Sequence, residues 1–524
     1  MFNPPDLNKN HLFSAFAFIA VWLLYGYASG VFDHFHELPM GVHQSAQCDR
    51  ASLAQNYYYG GFRFLYPEVN ENRCIDGIVS CEMPLGAYFA AALYRIFEYD
   101  EFYFRLLTYG IFSLGMMALY FLLKTRMSSL LALSLILLLQ SSPILLFYCN
   151  NFLPDIFSLG LALIAWWLFF RIHIKHPYLP ALKQRSLHWL FILCLGFSVA
   201  TKTTSLLQWL SMAGIAGLSF IPGSGLQLAD RRKLISALLV AFCIPLAWYF
   251  WSRHLSMTHN SQYFMMSLPQ SANMQQYREA WQVYLANWPT QTLSYPLIYI
   301  AVALMLVTLF LKRFIQAELW IVALLNAFGA FAFLALMIEQ FKYHDYYVIC
   351  LFPAFALNWL ALHDAACKLK PGRRWIKLVL FVLILLALNY QFHTGKKNLE
   401  ERYTEGNYWE QSHHRARDLD SFRHKVNAIG IDRNACVLAG YDPAPNNLLY
   451  LLHLRGHRIS KDHDTERLDY ILNGAHPRYL ISNDSTLTLR VGGMVKSVRL
   501  LASQRQLELY ELSYNRDSSD QKPE

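Results

Sequence analysis

The ionisable residues in a short stretch between two apolar runs are the first that could do chemistry. In EQFKYHDYY, Glu339, Lys342, His344 and Asp345 fall within seven positions, and Tyr346 follows them. A carboxylate can accept a proton and a lysine can hold an anion, while His344 and Asp345 could also bind a metal, although their spacing is not a ligand signature. The structural alternative is an interfacial belt of side chains.

Four further charged residues lie beside apolar runs in distant parts of the chain: Asp49 in QCDRASL, Glu82 in CEMPLG, Asp155 in NNFLPD and Lys202 in VATKTTS. Each has an ordinary structural alternative. The acids could be loop residues, helix caps or first-turn residues, and the lysine could extend to the membrane surface. If the chain brings them together, the acids become proton acceptors and the lysine a partner for phosphate or carboxylate.

The composition indicates a membrane protein as the carrier of these residues. Of 524 residues, 55% are hydrophobic and 15% charged, whereas soluble domains have roughly 25% charged residues. The formal charge of +9 is spread over short clusters between apolar runs, which argues against a nucleic-acid-binding stripe. The first apolar run continues uncharged to Phe32 and has no small-residue cleavage site, so we interpret it as a retained span.

Each long uncharged run is expected to be a helix, because the hydrocarbon core leaves no partner for unpaired backbone groups. We therefore expect eleven spans, at approximately residues 12–31, 104–123, 129–148, 156–170, 187–201, 204–221, 234–251, 295–311, 318–338, 346–362 and 376–393.

Alternate connections between these spans hold the basic clusters, among them Lys124, Arg126 and residues 231–233. The positive-inside rule then places the N-terminus in the cytoplasm and the candidate site residues outside. We expect a multi-pass protein of the inner (plasma) membrane, with its C-terminal segment periplasmic or otherwise extracytoplasmic.

The sequence divides into a transmembrane domain (1–394) that includes an external loop (32–103), an external α/β domain (395–514) and a disordered tail (515–524). Within the α/β domain we expect strands at Ala435–Gly440, Tyr479–Ser482 and Gln506–Leu512, and helices at Asn446–Arg455 and Thr465–Leu472. A Cys74–Cys81 disulfide is one alternative for the loop cysteines, since sequence cannot fix pairing.

Five segments carry a resemblance to a known family: QCDRASLAQNYYYGGFRFLYP, EMPLGAYFAAALYRIF, FLPD, ATKTTSLL and HDYYVICLFPAFAL, in order over residues 12–365. The chain resembles the GT-C superfamily of polyprenyl-phosphate-sugar-dependent glycosyltransferases, which includes protein O-mannosyltransferases and aminoarabinose transferases. It is most similar to bacterial members of glycosyltransferase family 39. The fold that this resemblance implies is an α-helical polytopic membrane protein with a small external α/β domain.

The resemblance also implies roles for individual residues. Asp49 matches the acid of the first external loop and is expected to be the catalytic base, and Glu82 is expected to hold the donor or a metal ion. Aminoarabinose transferases have a lysine before the proline where this chain has Met83. Lys202 or Lys342 is then expected to replace that lysine.

The donor phosphate or the acceptor would be bound by residues from several segments: Glu82, Asp155, Lys202, Lys342, His344, Asp345 and Tyr346. Glu82 and His344 are candidate ligands of a divalent metal ion.

The expected activity is transfer of a sugar from a polyprenyl-phosphate-linked donor to an acceptor hydroxyl, with inversion at the anomeric carbon. The acceptor could be an envelope glycolipid, a polysaccharide or a protein, and membrane lipid is the remaining partner. A transporter or flippase is the alternative; it would favour charges at midplane and broken helices. A non-catalytic membrane scaffold is a third interpretation.

Overall fold

Apolar runs and capping residues determine where most helices of the first 404 residues begin and end. The computed structural model describes residues 10–71, 76–174, 181–259, 273–369, 374–404, 416–433, 435–442, 444, 446–460 and 465–514. Cys74 and residues 515–524 lie outside these ranges, so the disulfide and the disordered tail stay predictions.

The helices of the first half connect the first loop with the membrane bundle. They are α1 (Asn10–Ala28), α2 (Gln44–Tyr59), α3 (Leu85–Phe97), α4 (Glu101–Lys124), α5 (Ser129–Gln140), α6 (Pro143–Tyr148), α7 (Pro154–Phe169), α8 (Ala181–Thr201), α9 (Leu206–Leu218) and α10 (Arg231–Thr258).

The helices of the second half complete the bundle and then enter the C-terminal domain. They are α11 (Met274–Thr292), α12 (Tyr295–Phe310), α13 (Ala317–Leu336), α14 (Ile338–Phe341), α15 (Phe352–Lys368), α16 (Arg374–Tyr403), α17 (Ala416–Ile429), α18 (Asn447–Leu451), α19 (Thr465–Gly474) and α20 (Ser485–Met494).

All eleven expected spans coincide with helices, and the predicted fold class is confirmed. Within the described residues, six helices are long and apolar enough to cross a membrane, and a seventh span results if α11 and α12, bent by 97°, are counted as one. The remaining expected spans are shorter, interrupted or more polar helices. The chain is a multi-pass membrane protein.

Two local differences from the expected spans have physical causes. The run at 129–148 is broken into α5 and α6, because Pro143 at the start of α6 has no N–H to continue the α5 ladder. Helix α11 lies in the connection between expected spans; it is polar, and Asn273 and Gln276 form a capping box at its N-terminus. Apolar periodicity gives no signal for such a helix.

Two glycines allow α4 and α7 to pack with their backbones in close contact. A Cβ on Gly115 would lie 2.6 Å from the Gly160 backbone, and one on Gly160 would lie 2.6 Å from the carbonyl oxygen of Ile111. Small residues at such positions let membrane helices gain dispersion contacts that lipid cannot supply. This pair therefore fixes the distance between the helices that carry Glu101 and Asp155 at their first turns.

Basic side chains lie at the helix ends farthest from those first turns. Arg126, just after α4, forms an ion pair with Asp364 of α15 at 3.3 Å, and its other nitrogen donates to Gln316 at 2.7 Å. Lys124 and Lys368 occupy the last turns of α4 and α15. The basic clusters and the candidate site residues are therefore at opposite ends of the bundle.

The C-terminal domain is built on a five-stranded mixed sheet with the order β2-β1-β3-β5-β4. The strands are β1 (Cys436–Gly440), β2 (Arg455–Ile459), β3 (Tyr479–Ser482), β4 (Ser497–Gln504) and β5 (Leu507–Ser513). β1 pairs in parallel with β2 and β3, and β5 pairs antiparallel with β3 and β4.

The first loop covers the exposed edge of this sheet. Glu71 forms a parallel bridge with Gly456 of β2, and the Gly456 N–H donates to the carbonyl oxygen of Asn70 at 3.1 Å. Edge strands present unpaired backbone groups, which this segment satisfies. The loop and the C-terminal domain are thus joined by main-chain hydrogen bonds.

Candidate functional site

Helix α2 presents Asp49 and Arg50 on adjacent faces. Consecutive helical residues point about 100° apart, so Asp49 faces the C-terminal domain while Arg50 faces the membrane bundle. Asp49 is 9% exposed, and the Arg50 side chain is 17% exposed. A buried acid and a half-buried guanidinium cation therefore stand side by side at the junction of the two parts of the protein.

Arg50 belongs to a buried charge cluster formed with Glu82, Lys202 and Asp155, which we call the cation seat. Arg50 Nη2 lies 3.0 Å from Glu82 Oε2, and Lys202 Nζ lies 3.3 Å from Glu82 Oε1. Lys202 Nζ also lies 3.6 Å from Asp155 Oδ2. Three residues predicted from separate segments are brought together here, and positive and negative charges alternate along the cluster.

The segment before α3 is held in place by main-chain contacts with the bundle. The Met83 N–H donates to the carbonyl oxygen of Ala200 at 2.9 Å. Trp248 Nε1 and Ser252 Oγ of α10 donate to the Cys81 carbonyl oxygen at 2.8 and 3.1 Å. These bonds fix Glu82 against the end of α8, where Lys202 follows.

Two tyrosine rings enclose Lys202 on the side of the stretch at residues 339–347. Lys202 Nζ lies 5.2 Å from the ring centroids of both Tyr346 and Tyr347, within the range of a cation–π interaction. The Tyr346 hydroxyl is 3.1 Å from His344 Nδ1. Burial lowers the pKa of His344 to about 4, so this imidazole is neutral near pH 7.

Asp345 belongs to a second buried cluster. Its carboxylate lies 2.8 Å from Arg402 Nη2 and 3.1 Å from His43 Nε2, and Tyr148 donates to it at 2.5 Å. Asp345 and Arg402 are fully buried. This ion pair joins the end of α16 to the start of the short helix Asp345–Leu351. Asp345 therefore has a structural role beside the cation seat.

Lys342 does not join either cluster in the part of the chain that the structure describes. Its Nζ lies 5.4 Å from the ring centroid of Tyr343, which is 60% exposed. Of the two lysines considered as replacements for the residue at Met83, Lys202 is therefore the one at the cation seat.

Asp49 is held by the C-terminal domain. Asn446 Nδ2 donates to Asp49 Oδ1 at 2.9 Å. Burial is the largest influence on this carboxyl and raises its pKa to about 6, while the Asn446 hydrogen bond and the charge of Arg50 lower the pKa. A carboxyl group with such a pKa is ionised near pH 7 and is also a stronger base than an exposed aspartate.

An apolar cavity adjoins the cation seat. Its volume is about 20 Å³, and Arg50 and Glu82 lie on its wall. The remaining lining is mostly hydrophobic and includes Leu53, Phe104 and Phe157. A ligand with an anionic head and an apolar body matches this combination of charge and lining.

The residues considered as metal ligands do not assemble into a metal site. Among the described residues, no group of three His, Cys, Asp or Glu side chains is placed to hold a metal ion. Glu82 faces Arg50 and Lys202, and His344 faces Tyr346. The carboxylate oxygens of Glu82 already pair with the cations Arg50 and Lys202, which disfavours a metal ion there.

Sequence reasoning missed several residues of these clusters. Arg50 follows Asp49 directly, but a charged pair in a loop helix is ordinary. His43 and Asn446 are neutral or weakly basic residues outside the apolar runs, and they gave no signal. Arg402 stands a few positions beyond the last expected span, and its burial next to a carboxylate could not be inferred from that position.

Comparisons with known proteins identify the fold. No family model and no curated protein matches the chain. Among solved structures, ArnT from Cupriavidus metallidurans in the apo state is similar, with a TM-score of 0.59, 12% identity, and coverage of 96% of this chain and 98% of that chain. ArnT bound to undecaprenyl phosphate gives a TM-score of 0.60 at 12% identity, covering 94% and 97%.

A second group of similar structures comes from an archaeon. The oligosaccharyltransferase AglB from Archaeoglobus fulgidus, in complex with an inhibitory peptide and a dolichol-phosphate, gives a TM-score of 0.56 at 11% identity. The match covers 90% of this chain and 70% of that chain.

The fold and its ionisable cluster define a polytopic membrane protein with a site at one end of the bundle. Its architecture is the fold of ArnT and AglB, in agreement with the helical fold and small external domain that the sequence resemblance implied. The narrower assignment to glycosyltransferase family 39 stays a prediction.

Proposed function

We propose that this protein is a membrane glycosyltransferase that uses a polyprenyl-phosphate-linked sugar. The observation that carries the proposal is the cation seat, where Arg50 and Lys202 share Glu82 beside an apolar cavity and next to Asp49. A polyprenyl-phosphate sugar combines an anion, an apolar tail and a sugar, and this site has a place for each. Similar folds hold undecaprenyl phosphate and dolichol-phosphate.

The donor phosphate would bind at Arg50 and Lys202, with the first part of the isoprenoid chain against the apolar lining of this small cavity. Glu82 and Asp155 hold the two cations before the donor arrives. A guanidinium has five N–H donors and an ammonium three, and both groups are strong hydrogen-bond partners for phosphate oxygens. Tyr346, whose ring contacts Lys202, would complete the wall beside the phosphate.

The transfer would be a single displacement. The acceptor hydroxyl oxygen attacks the anomeric carbon, its proton moves to the carboxylate of Asp49, and the bond from that carbon to the phosphate oxygen breaks. Attack from the side opposite the leaving group inverts the anomeric configuration. General-base assistance of this kind contributes about 10²- to 10⁴-fold.

The cation seat would stabilise the leaving group. Charge develops on the departing polyprenyl phosphate as the bond breaks, and preorganised cations in a site shielded from water lower the energy of that state. A divalent ion could supply the same stabilisation, but the cations beside Glu82 make its surroundings unsuited to hold one.

The position of the site also favours an enzyme over the transporter alternative. The buried ion pairs of the described bundle lie at helix ends, and the basic clusters occupy the opposite ends. By the positive-inside rule the site would then face the periplasm or another extracytoplasmic space. An envelope glycolipid, a polysaccharide or a protein hydroxyl would reach Asp49 between the first loop and the C-terminal domain.

A transfer assay with a panel of undecaprenyl-phosphate sugars tests this function. Purified protein in detergent is incubated with each donor and with envelope lipid, glycan or protein fractions, and products are detected by mass. We expect transfer from at least one lipid-linked donor, an inverted linkage, and loss of turnover in Asp49→Asn. Transfer from nucleotide sugars without polyprenyl phosphate would overturn the proposal.

A further inference from the structure

Asn446 has a side-chain amide whose orientation is fixed by its surroundings. It is fully buried, and its Oδ1 accepts from the backbone N–H groups of Asn70 and Glu71 at 3.0 and 3.1 Å. Backbone N–H groups can only donate, which settles the direction of an amide that is otherwise ambiguous. The NH₂ group must therefore face Asp49, whose Oδ1 it reaches at 2.9 Å.

The segment that orients Asn446 is itself anchored on both sides. Asn70 Nδ2 donates to Gln55 Oε1 of α2 and to the Leu454 carbonyl oxygen of the C-terminal domain, both at 2.9 Å. Asn56 Nδ2 donates to Asn70 Oδ1 at 2.8 Å. Because every polar atom of the Asn70 side chain is used, the segment has little freedom to turn.

This arrangement leaves the two oxygens of Asp49 in different environments. Oδ1 is occupied by Asn446, whereas Oδ2 has no hydrogen bond within the described residues. A general base must present one oxygen to the incoming hydroxyl in a defined direction.

We propose that Asn446 is a positioning residue for sugar transfer, which holds Asp49 Oδ1 so that Oδ2 faces the acceptor hydroxyl. The inference rests on the proposed function of Asp49 as the base. Asn446 lies 397 positions from Asp49 in the chain, so the C-terminal domain completes the site instead of only bordering it.

The charges around Asp49 determine how its titration should respond. Arg50 of α2 and Arg458 of β2 lower its pKa, and Glu71 raises it. Asp442, after β1, is near Arg458 and Glu71, and burial raises its pKa to about 7. Since the Asn446 amide favours the ionised form of Asp49, its removal should raise the pKa of Asp49 above about 6.

Asn446→Asp separates positioning from folding. When ionised, the new carboxylate can still accept from the two backbone N–H groups, but it cannot donate to Asp49 and it adds a like charge. With the undecaprenyl-phosphate sugar that proves active, we expect kcat to fall at least tenfold and the acid limb of its pH profile to move up by about one unit or more. The donor KM should change little.

Asn447→Asp is the matched control. Asn447 is equally buried and adjacent, and its Nδ2 donates to Ser45 Oγ of α2 at 3.2 Å without contacting Asp49. This variant adds the same charge without removing the donor to Asp49, so its acid limb should move much less than that of Asn446→Asp. If Asn446→Asp does not fold, Asn446→Ala removes the donor without adding charge and should shift the limb in the same direction.

The outcomes distinguish this inference from the function on which it rests. If Asp49→Asn keeps its turnover, the base assignment is wrong and the proposed function fails. If Asp49→Asn is inactive but folded Asn446 variants keep the wild-type acid limb, the positioning role alone is wrong. An equal limb shift in Asn447→Asp would also overturn it, because the shift would then come from the added charge.

Discussion

Lys202→Met should destabilise the folded protein strongly, because it removes the one cation between two buried carboxylates. Lys202 Nζ lies 3.3 Å from Glu82 and 3.6 Å from Asp155. At an effective dielectric constant of about 20, unit charges at either distance attract each other by about 5 kcal/mol. Desolvation of the charges offsets much of this attraction, and the loss of one partner of a buried pair typically costs about 3–5 kcal/mol.

The loss of stability in Lys202→Met should depend on the carboxylate charge that is left unpaired. Lys202→Met combined with Glu82→Gln removes one of the two carboxylate charges, so the double variant should be less destabilised than the sum of the single variants. Thermal unfolding of the four proteins in detergent, at one scan rate, gives the comparison.

Lys233→Met provides a matched control. Lys233 Nζ lies 3.6 Å from Asp230, the same separation as in the Lys202–Asp155 pair, but its side chain is 66% exposed. Exposed ion pairs contribute little to stability, so the unfolding temperature should hardly change. Equal shifts for the two lysine variants, or strict additivity in the double variant, would refute the assignment of Lys202 to a buried charge cluster.

Three other perturbations have expected outcomes. Turnover should fall below about pH 6, as Asp49 is protonated, and a rate profile that stays flat to pH 4 would contradict this. Burial raises the pKa of Asp49 in the folded protein from 3.8 to about 6, so ionisation of Asp49 lowers the stability of the folded protein as pH rises through that range. Asp49→Asn should therefore unfold at a higher temperature than wild type at pH 8 but not below pH 4. Gly160→Val should reduce the yield of folded protein, since its Cβ would lie 2.6 Å from the Ile111 carbonyl oxygen; gel filtration in detergent measures this. Arg402→Met should cost about 3–5 kcal/mol by leaving Asp345 unpaired, seen as a lower unfolding temperature, and an unchanged temperature would show that the pair is not buried.

The bundle could be predicted from sequence because bilayer physics leaves a strong signal. Long uncharged runs must be helical, and the basic clusters mark alternate helix ends. The same rule exposed Lys202, a single charge in an apolar segment. It could not show that Pro143 breaks one run in two, since a proline at the start of a helix and a proline inside one have similar sequence surroundings.

The site was only partly predictable, because its geometry depends on contacts between distant segments. Asp49, Glu82 and Asp155 were identified as isolated acids, but their cation Arg50 resembled an ordinary loop residue. Lys342 was as good a candidate as Lys202 by position, and only the direction of its side chain excludes it from the cation seat.

The contribution of the C-terminal domain had no sequence signal. A neutral asparagine forms no charge pattern, and its partner lies 397 positions away. The loop segment that orients Asn446 pairs with the edge strand of the sheet through main-chain atoms. Side-chain patterns in the sequence give no sign of such pairing. Residues of this kind become recognisable only when the fold is known.

An experimental structure of the protein with undecaprenyl phosphate would test the central claim most directly. We expect phosphate density within hydrogen-bonding distance of Arg50 and Lys202, with the first part of the isoprenoid chain against the adjoining apolar lining and the Asp49 carboxylate open on the same side. Phosphate bound at the opposite helix ends, near Arg126, or an isoprenoid chain that does not contact that apolar lining would contradict the proposed function.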